Sequence, residues 1–158
     1  MVNKPKIEAA VRMILEAIGE DLDRPGLVDT PQRVAEMYEE IFSGVGSEPS
    51  EALKLYPTDH HEMIIHRDIP FYSMCEHHLL PFWGTVSIAY IPKDAMVTGF
   101  SSLARIVRSF AQRPQLQETM ATGIADTIMS RLHPMGVFVV IRAQHHCLMM
   151  RGEKVQGS

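Results

Sequence analysis

The chain is poor in cysteine, with only two in 158 residues. That excludes a disulfide-rich secreted scaffold. It also lacks an excess of positive charge. Fifteen Lys and Arg against nineteen Asp and Glu give a formal net charge of −4. A general nucleic-acid binder would carry a basic face instead, so nucleic acid is not an expected partner. No apolar run approaches the roughly 20 residues that span a bilayer, and no membrane partner is expected. The N-terminus, Met1-Val2-Asn3-Lys4-Pro5-Lys6, passes into a charged amphipathic helix without the apolar stretch of a signal peptide. Cytoplasm is the expected compartment. There is no internal repeat and no low-complexity segment. What remains is a hydrophobic fraction of 46% in a length that suits one domain with a real core. The eleven methionines are scattered through apolar positions and read as core filling.

Apolar periodicity places the elements. Ile7, Val11, Ile14, Leu15 and Ile18 recur at helical spacing, and Gly19 can end that helix. A second helix starts at Asp29-Thr30-Pro31, with Thr30 able to cap, Pro31 suited to the first turn, and Val34, Met37, Tyr38 and Ile41 forming its stripe. Residues 1–46 therefore read as a helical hairpin whose apolar faces need a partner, and residues 47–158 as the unit carrying the chemistry. The segment 47–61 reads as irregular. Strands are expected over Glu62–Arg67, Gly84–Pro92 and Val137–Ile141, and helices over Ser101–Arg113 and Gln115–Leu132. The order helices, strands, helices, strands predicts an α+β fold with an antiparallel sheet covered by helices on one face. Open sheet edges would favour assembly with further copies.

Both cysteines sit beside histidines. The first cluster is Cys75-Glu76-His77-His78 and the second is Gln144-His145-His146-Cys147. Thiolate and imidazole are the ligands of Zn²⁺. In a cytosolic chain, metal binding is favoured over a disulfide between the two cysteines. Cys75 and His78, three residues apart, can reach one ion from a tight turn, and Cys147 can arrive from the last strand. A closed structural site takes four protein ligands, whereas a catalytic one keeps a position for water. His77, His145 and His146 each offer a fourth ligand, so ligand count alone leaves structural and catalytic readings open. A histidine left beside the metal could move protons.

Several longer motifs run through most of the chain: Thr30-Pro31-Gln32-Arg33-Val34-Ala35, Ser73-Met74-Cys75-Glu76-His77-His78, Ala89-Tyr90-Ile91-Pro92, Ala111-Gln112-Arg113-Pro114-Gln115-Leu116-Gln117-Glu118 and His145-His146-Cys147-Leu148-Met149-Met150-Arg151-Gly152. In these the chain resembles the GTP cyclohydrolase I family of zinc enzymes. The resemblance implies the tunnelling fold: an antiparallel sheet backed by two helices and preceded by a helical hairpin. It also implies a homo-oligomer, two stacked pentamers with active sites between subunits. It implies Zn²⁺ on Cys75, His78 and Cys147, with His77 and His145 as the proton-transfer histidines. The implied reaction opens the imidazole ring of GTP at C8, releases formate and gives 7,8-dihydroneopterin triphosphate for folate and pterin synthesis. Glu118 would hold the guanine edge and Gln117 would lie near the ribose. Ser101, Arg105, Arg151 and Arg33 would face the ribose or the triphosphate.

Two positions depart from the family pattern. Ser102 stands where relatives carry a lysine that contacts triphosphate, and Glu36 stands where some carry a phosphate-binding lysine. Both changes imply a weaker triphosphate grip or a substrate with fewer phosphates. A divergent cyclohydrolase on the same scaffold is accordingly one alternative, and a non-catalytic zinc-stabilised assembly module is another. Relatives also continue beyond Gly152 with a further strand and a closing helix.

Overall fold

The computed structural model describes residues 2–156. Helix α1 (Lys4–Ala17) opens on Asn3, whose side chain accepts from the Lys6 N–H at 3.1 Å. It packs on α2 (Thr30–Ile41), and Lys4 pairs with Glu39 at 2.5 Å. The expected cap at Thr30 is displaced by one residue. Asp29 holds the cap position and Thr30 begins the helix, with its hydroxyl directed to the Gly26 carbonyl at 3.4 Å. The Asp29 carboxylate is drawn instead to Arg33 at 3.0 Å, one turn on. No residue of α1 is buried, and Met13, Ile14 and Ile18 are exposed.

The irregular segment contains a 3-10 turn (Pro49–Ala52) and strand β1 (Leu55–Pro57), which pairs antiparallel with β4 (Met96–Thr98). The main sheet holds β2 (Ile64–Cys75), β3 (Pro81–Ile91), β5 (Pro114–Gln115) and β6 (Gly136–His145) in the order β5-β2-β3-β6. β2 is longer than the expected Glu62–Arg67. Asp68 adopts a left-handed backbone, φ 58°, at a bulge between His66 and Ile69. Beyond it the alternation resumes with Ile69, Phe71, Ser73 and Cys75 inward. The bulge and Pro70 break the period in the sequence without ending the strand. Pro70 is tolerated because β5 pairs only with Met74 and Cys75, which leaves the β2 edge beside Pro70 without a partner strand. β6 likewise outruns Val137–Ile141 and carries His145 on the sheet. The sheet is antiparallel as expected, with the two-residue β5 added parallel to the end of β2. Buried Gln115 pulls that segment in, donating to Ser73 Oγ at 3.2 Å and to the Phe110 carbonyl.

Helices α3 (Phe100–Ala111) and α4 (Gln117–Leu132) cover one face of the sheet. Leu103, Ile106 and Val107 from α3, and Met120, Ile124 and Ile128 from α4, bury against Phe71, Phe82, Val86, Ile88 and Tyr90. The other face is bare, with Tyr72 and Phe138 exposed. A last short helix, α5 (His146–Met149), follows β6 directly. Among the described residues no helix is long and apolar enough to cross a membrane. The α+β class, the two covering helices and the N-terminal helical pair are as the sequence predicts.

Candidate metal centre

Three strand ends meet at one end of the sheet. β2 delivers Cys75, the start of β3 delivers Phe82, and the end of β6 delivers His145, with Cys147 in α5 just beyond. The chain turns tightly after Cys75. The Cys75 N–H donates to the Leu80 carbonyl and the Leu79 N–H to the Cys75 carbonyl, each at 2.9 Å, with Leu79 at φ 51°. That turn swings His78 back over Cys75. The ligand atoms of Cys75, His78 and Cys147 lie within 4.8 Å of one another. Tetrahedral zinc with Zn–S near 2.3 Å and Zn–N near 2.0 Å sets its ligand atoms roughly 3.5–3.8 Å apart. The three residues thus stand near enough to share one ion.

The donor set fits a cation. Both cysteines are free and buried. Burial pushes the Cys147 thiol up, and the neighbouring Cys75 adds to the rise. The Cys147 thiol so placed resists ionisation until a positive charge joins it. Arg151 Nη1 lies 2.9 Å from His78 Nε2. Arginine only donates, so Nε2 carries the lone pair, which is the form that can ligate a metal.

His145 is oriented from two sides. Its ring stacks on Phe82 with centroids 4.9 Å apart and planes 3° from parallel. Its Nε2 lies 2.8 Å from Gln117 Oε1, and Gln117 Nε2 donates to the Ile141 carbonyl at 3.2 Å. With the amide hydrogens turned to Ile141, the amide oxygen faces the imidazole. Nε2 therefore holds the hydrogen and Nδ1 the lone pair. Burial pushes the imidazole below its ordinary range, and the Glu118 carboxylate opposes that shift. His145 is neutral at pH 7. His77 is exposed, edge-on to His78 with centroids 6.3 Å apart. His146, the other spare histidine, meets Trp83 edge-on at 4.6 Å.

The remaining predicted residues divide by place. Gln117, Glu118 and Arg151 are at the metal end. Glu118 borders an open groove of about 450 Å³ with Thr119, Thr122 and Asp126. Ser101 and Arg105 are at the opposite end of the sheet. Phe100 lies against His66 at 4.7 Å, and Ser102 bonds the Lys54 N–H, whose residue is tied to Thr98 and, through it, to Tyr90. Along β3 the rise from Phe82 to Tyr90 is about 26 Å. Arg33 is on α2 and paired with Asp29. Glu36 is exposed and accepts from Gln32 Nε2 at 2.8 Å. Sequence reasoning missed Ser73, whose buried hydroxyl donates to the Ala111 carbonyl at 2.7 Å and accepts from Gln115, fixing the strand end beneath Cys75. Its alternation with Phe71 and Cys75 was the available signal.

Comparison with known proteins agrees with this geometry. The sequence profile described as GTP cyclohydrolase I matches residues 7–158. A GTP cyclohydrolase 1 of Carboxydothermus hydrogenoformans is 62% identical, over 100% of this chain and 83% of its own length. One of Pelotomaculum thermopropionicum is 59% identical, over 100% and 85%. One of Clostridioides difficile is 57% identical, over 99% and 84%. The chain belongs to the GTP cyclohydrolase I family.

Proposed function

We propose that the chain is a zinc-dependent GTP cyclohydrolase that hydrolyses GTP at C8, releases formate and forms 7,8-dihydroneopterin triphosphate in cytoplasmic folate and pterin synthesis. The convergence of Cys75, His78 and Cys147 beside an oriented, neutral His145 carries this reading. A structural zinc site would take four ligands and have no need of a histidine held by Gln117. Zinc, held by Cys75, His78 and Cys147, supplies the Lewis acidity that activates water at neutral pH.

The chain's own groups do the rest. His145 accepts a proton at Nδ1 while Gln117 keeps its Nε2 hydrogen engaged. His77, exposed beside the ligands, exchanges protons with the departing ring nitrogen. The Glu118 carboxylate accepts from the guanine N1–H and exocyclic amine. Gln117 borders the ribose. Arg151 turns from His78 to the anionic end of the nucleotide, and Ser101, Arg105 and Arg33 complete that end.

These groups reach one substrate only in an assembly. Ser101 and Arg105 begin α3 toward the Tyr90 end of the sheet, whose strand β3 rises about 26 Å from Phe82 to Tyr90. A neighbouring copy therefore supplies them, in a homo-oligomer of two stacked pentamers. Among the described residues the sheet ends at β6 on one side and at the short β5 beside β2 on the other, and these edges, with the exposed Met13, Ile14 and Ile18 of the 1–46 hairpin, support such assembly by the 47–158 unit and its N-terminal helices.

The test is a His77→Ala variant incubated with GTP. Retained metal and fold with formate release lost supports the catalytic reading. Unchanged release contradicts the role of His77, and no release from the unaltered chain contradicts the function.

A further inference from the structure

Ser102 lies in the first turn of α3 and is 1% exposed. Its hydroxyl oxygen accepts two hydrogen bonds, from the Lys54 backbone N–H at 3.3 Å and from Arg105 Nη2 at 3.0 Å. A serine oxygen has two acceptor positions, and both are taken. The Lys54 carbonyl in turn accepts from Thr98 Oγ1 at 2.9 Å, and the Thr98 N–H donates to the buried Tyr90 hydroxyl at 3.1 Å. One buried oxygen thus joins an exposed guanidinium to backbone that is pinned to β4 and the core.

This changes what the serine can do. Its side chain is turned inward, so it offers no group to a phosphate. Arg105 is the group it controls. A free surface arginine samples many rotamers, and each must be given up when an anion binds. With one Nη2 hydrogen anchored on Ser102, the guanidinium is held, and the second Nη2 hydrogen with the N–H parallel to it remains for a bidentate acceptor.

We propose that Ser102 is a positioning residue that holds Arg105 ready for the phosphate end of the nucleotide, so that phosphate recognition depends on a buried hydroxyl that the nucleotide never touches. The proposal rests on the reading of Arg105 as a phosphate contact given above.

The experiment is calorimetric titration of GTP and of guanosine into the full chain, for the unaltered protein, Ser102→Ala, Arg105→Ala and the double variant. Ser102→Ala is expected to weaken GTP binding about tenfold, the scale of one hydrogen bond to a charged donor. Guanosine binding is expected to stay within about twofold, and Ser102→Ala to cost nothing further once Arg105 is gone. Independent losses in the double variant, or an equal loss for guanosine, would overturn the proposal. Because Ser102 also holds Lys54, Ser102→Thr and Ser102→Cys are measured beside it. Threonine keeps the acceptor and restores GTP affinity, while cysteine, similar in size but a weak acceptor, reproduces the alanine pattern. A cysteine variant that binds GTP normally overturns the idea. Formate release is scored separately. The Ser102–Arg105 coupling without formate release contradicts the cyclohydrolase reading alone, and release without the coupling contradicts this proposal alone.

Discussion

Replacing Gln117 by leucine removes the hydrogen bond that orients His145 and the bond from Gln117 to the Ile141 carbonyl. The side chain is partly buried at the start of α4, and leucine fills a similar volume. The lost contact is the 2.8 Å pair between Gln117 Oε1 and His145 Nε2, together with the 3.2 Å bond to the Ile141 carbonyl. Leaving a partly buried imidazole N–H unmet costs about 1–3 kcal/mol. The ring can escape that cost by moving its hydrogen to Nδ1 or by tilting off Phe82, and either move takes the basic nitrogen from its place. If most of the cost appears in the barrier, kcat for formate release falls about ten- to hundredfold, at roughly 1.4 kcal/mol per decade. KM for GTP changes little, because positioning of a proton acceptor acts on the transition state. Steady-state formate release checks this, with bound metal measured in parallel. A kcat within about twofold of the unaltered chain refutes the orienting role. A raised KM at constant kcat refutes it as well, and assigns Gln117 to ribose binding alone.

Further outcomes follow from other contacts. Ser73→Ala removes the buried bond to the Ala111 carbonyl and leaves one Gln115 amide hydrogen without its partner, while the Arg113 N–H and the Phe110 carbonyl keep the other contacts, and should lower stability by about 1–3 kcal/mol in a denaturant titration. Gly84→Ala places a methyl 1.8 Å from the Arg142 carbonyl across the β3–β6 ladder, and should cost at least the roughly 1–3 kcal/mol of an overpacked core, read as a lost or lowered thermal transition. Burial holds His145 below the ordinary histidine range, so between that depressed value and about 6.5 the unfolded chain binds a proton that the folded chain refuses. Acidification through that window should therefore destabilise the metal-free protein. Thermal midpoints of His145→Gln, set against the unaltered chain, should show a shallower decline.

The site was legible where its chemistry is local in sequence. Cys75 and His78 share one turn, and Cys147 follows the apolar strand run, so residue types and spacing pointed to one ion before any geometry was known. The helices were legible from their stripes for the same reason. What escaped depends on contacts across the fold. The parallel strand β5 is two residues long, and the buried Gln115 amide holds it in place, which no periodicity reveals. β2 looked short because Asp68 and Pro70 break the alternation, although the bulge lets the strand continue. Ser102 looked like a lost phosphate contact, yet its hydroxyl faces Lys54 and Arg105 within the chain. Gln117 looked like a substrate contact, and its first partner in the fold is His145.

The central claim is that Cys75, His78 and Cys147 form a catalytic metal centre for GTP. Formate release from GTP, measured on the full chain as purified, after exhaustive chelation and after zinc is returned, tests it most directly. Release is expected to be lost on chelation, restored by about one zinc per chain, and absent in Cys147→Ser with or without zinc. Release that survives complete chelation, or that Cys147→Ser retains, would contradict it.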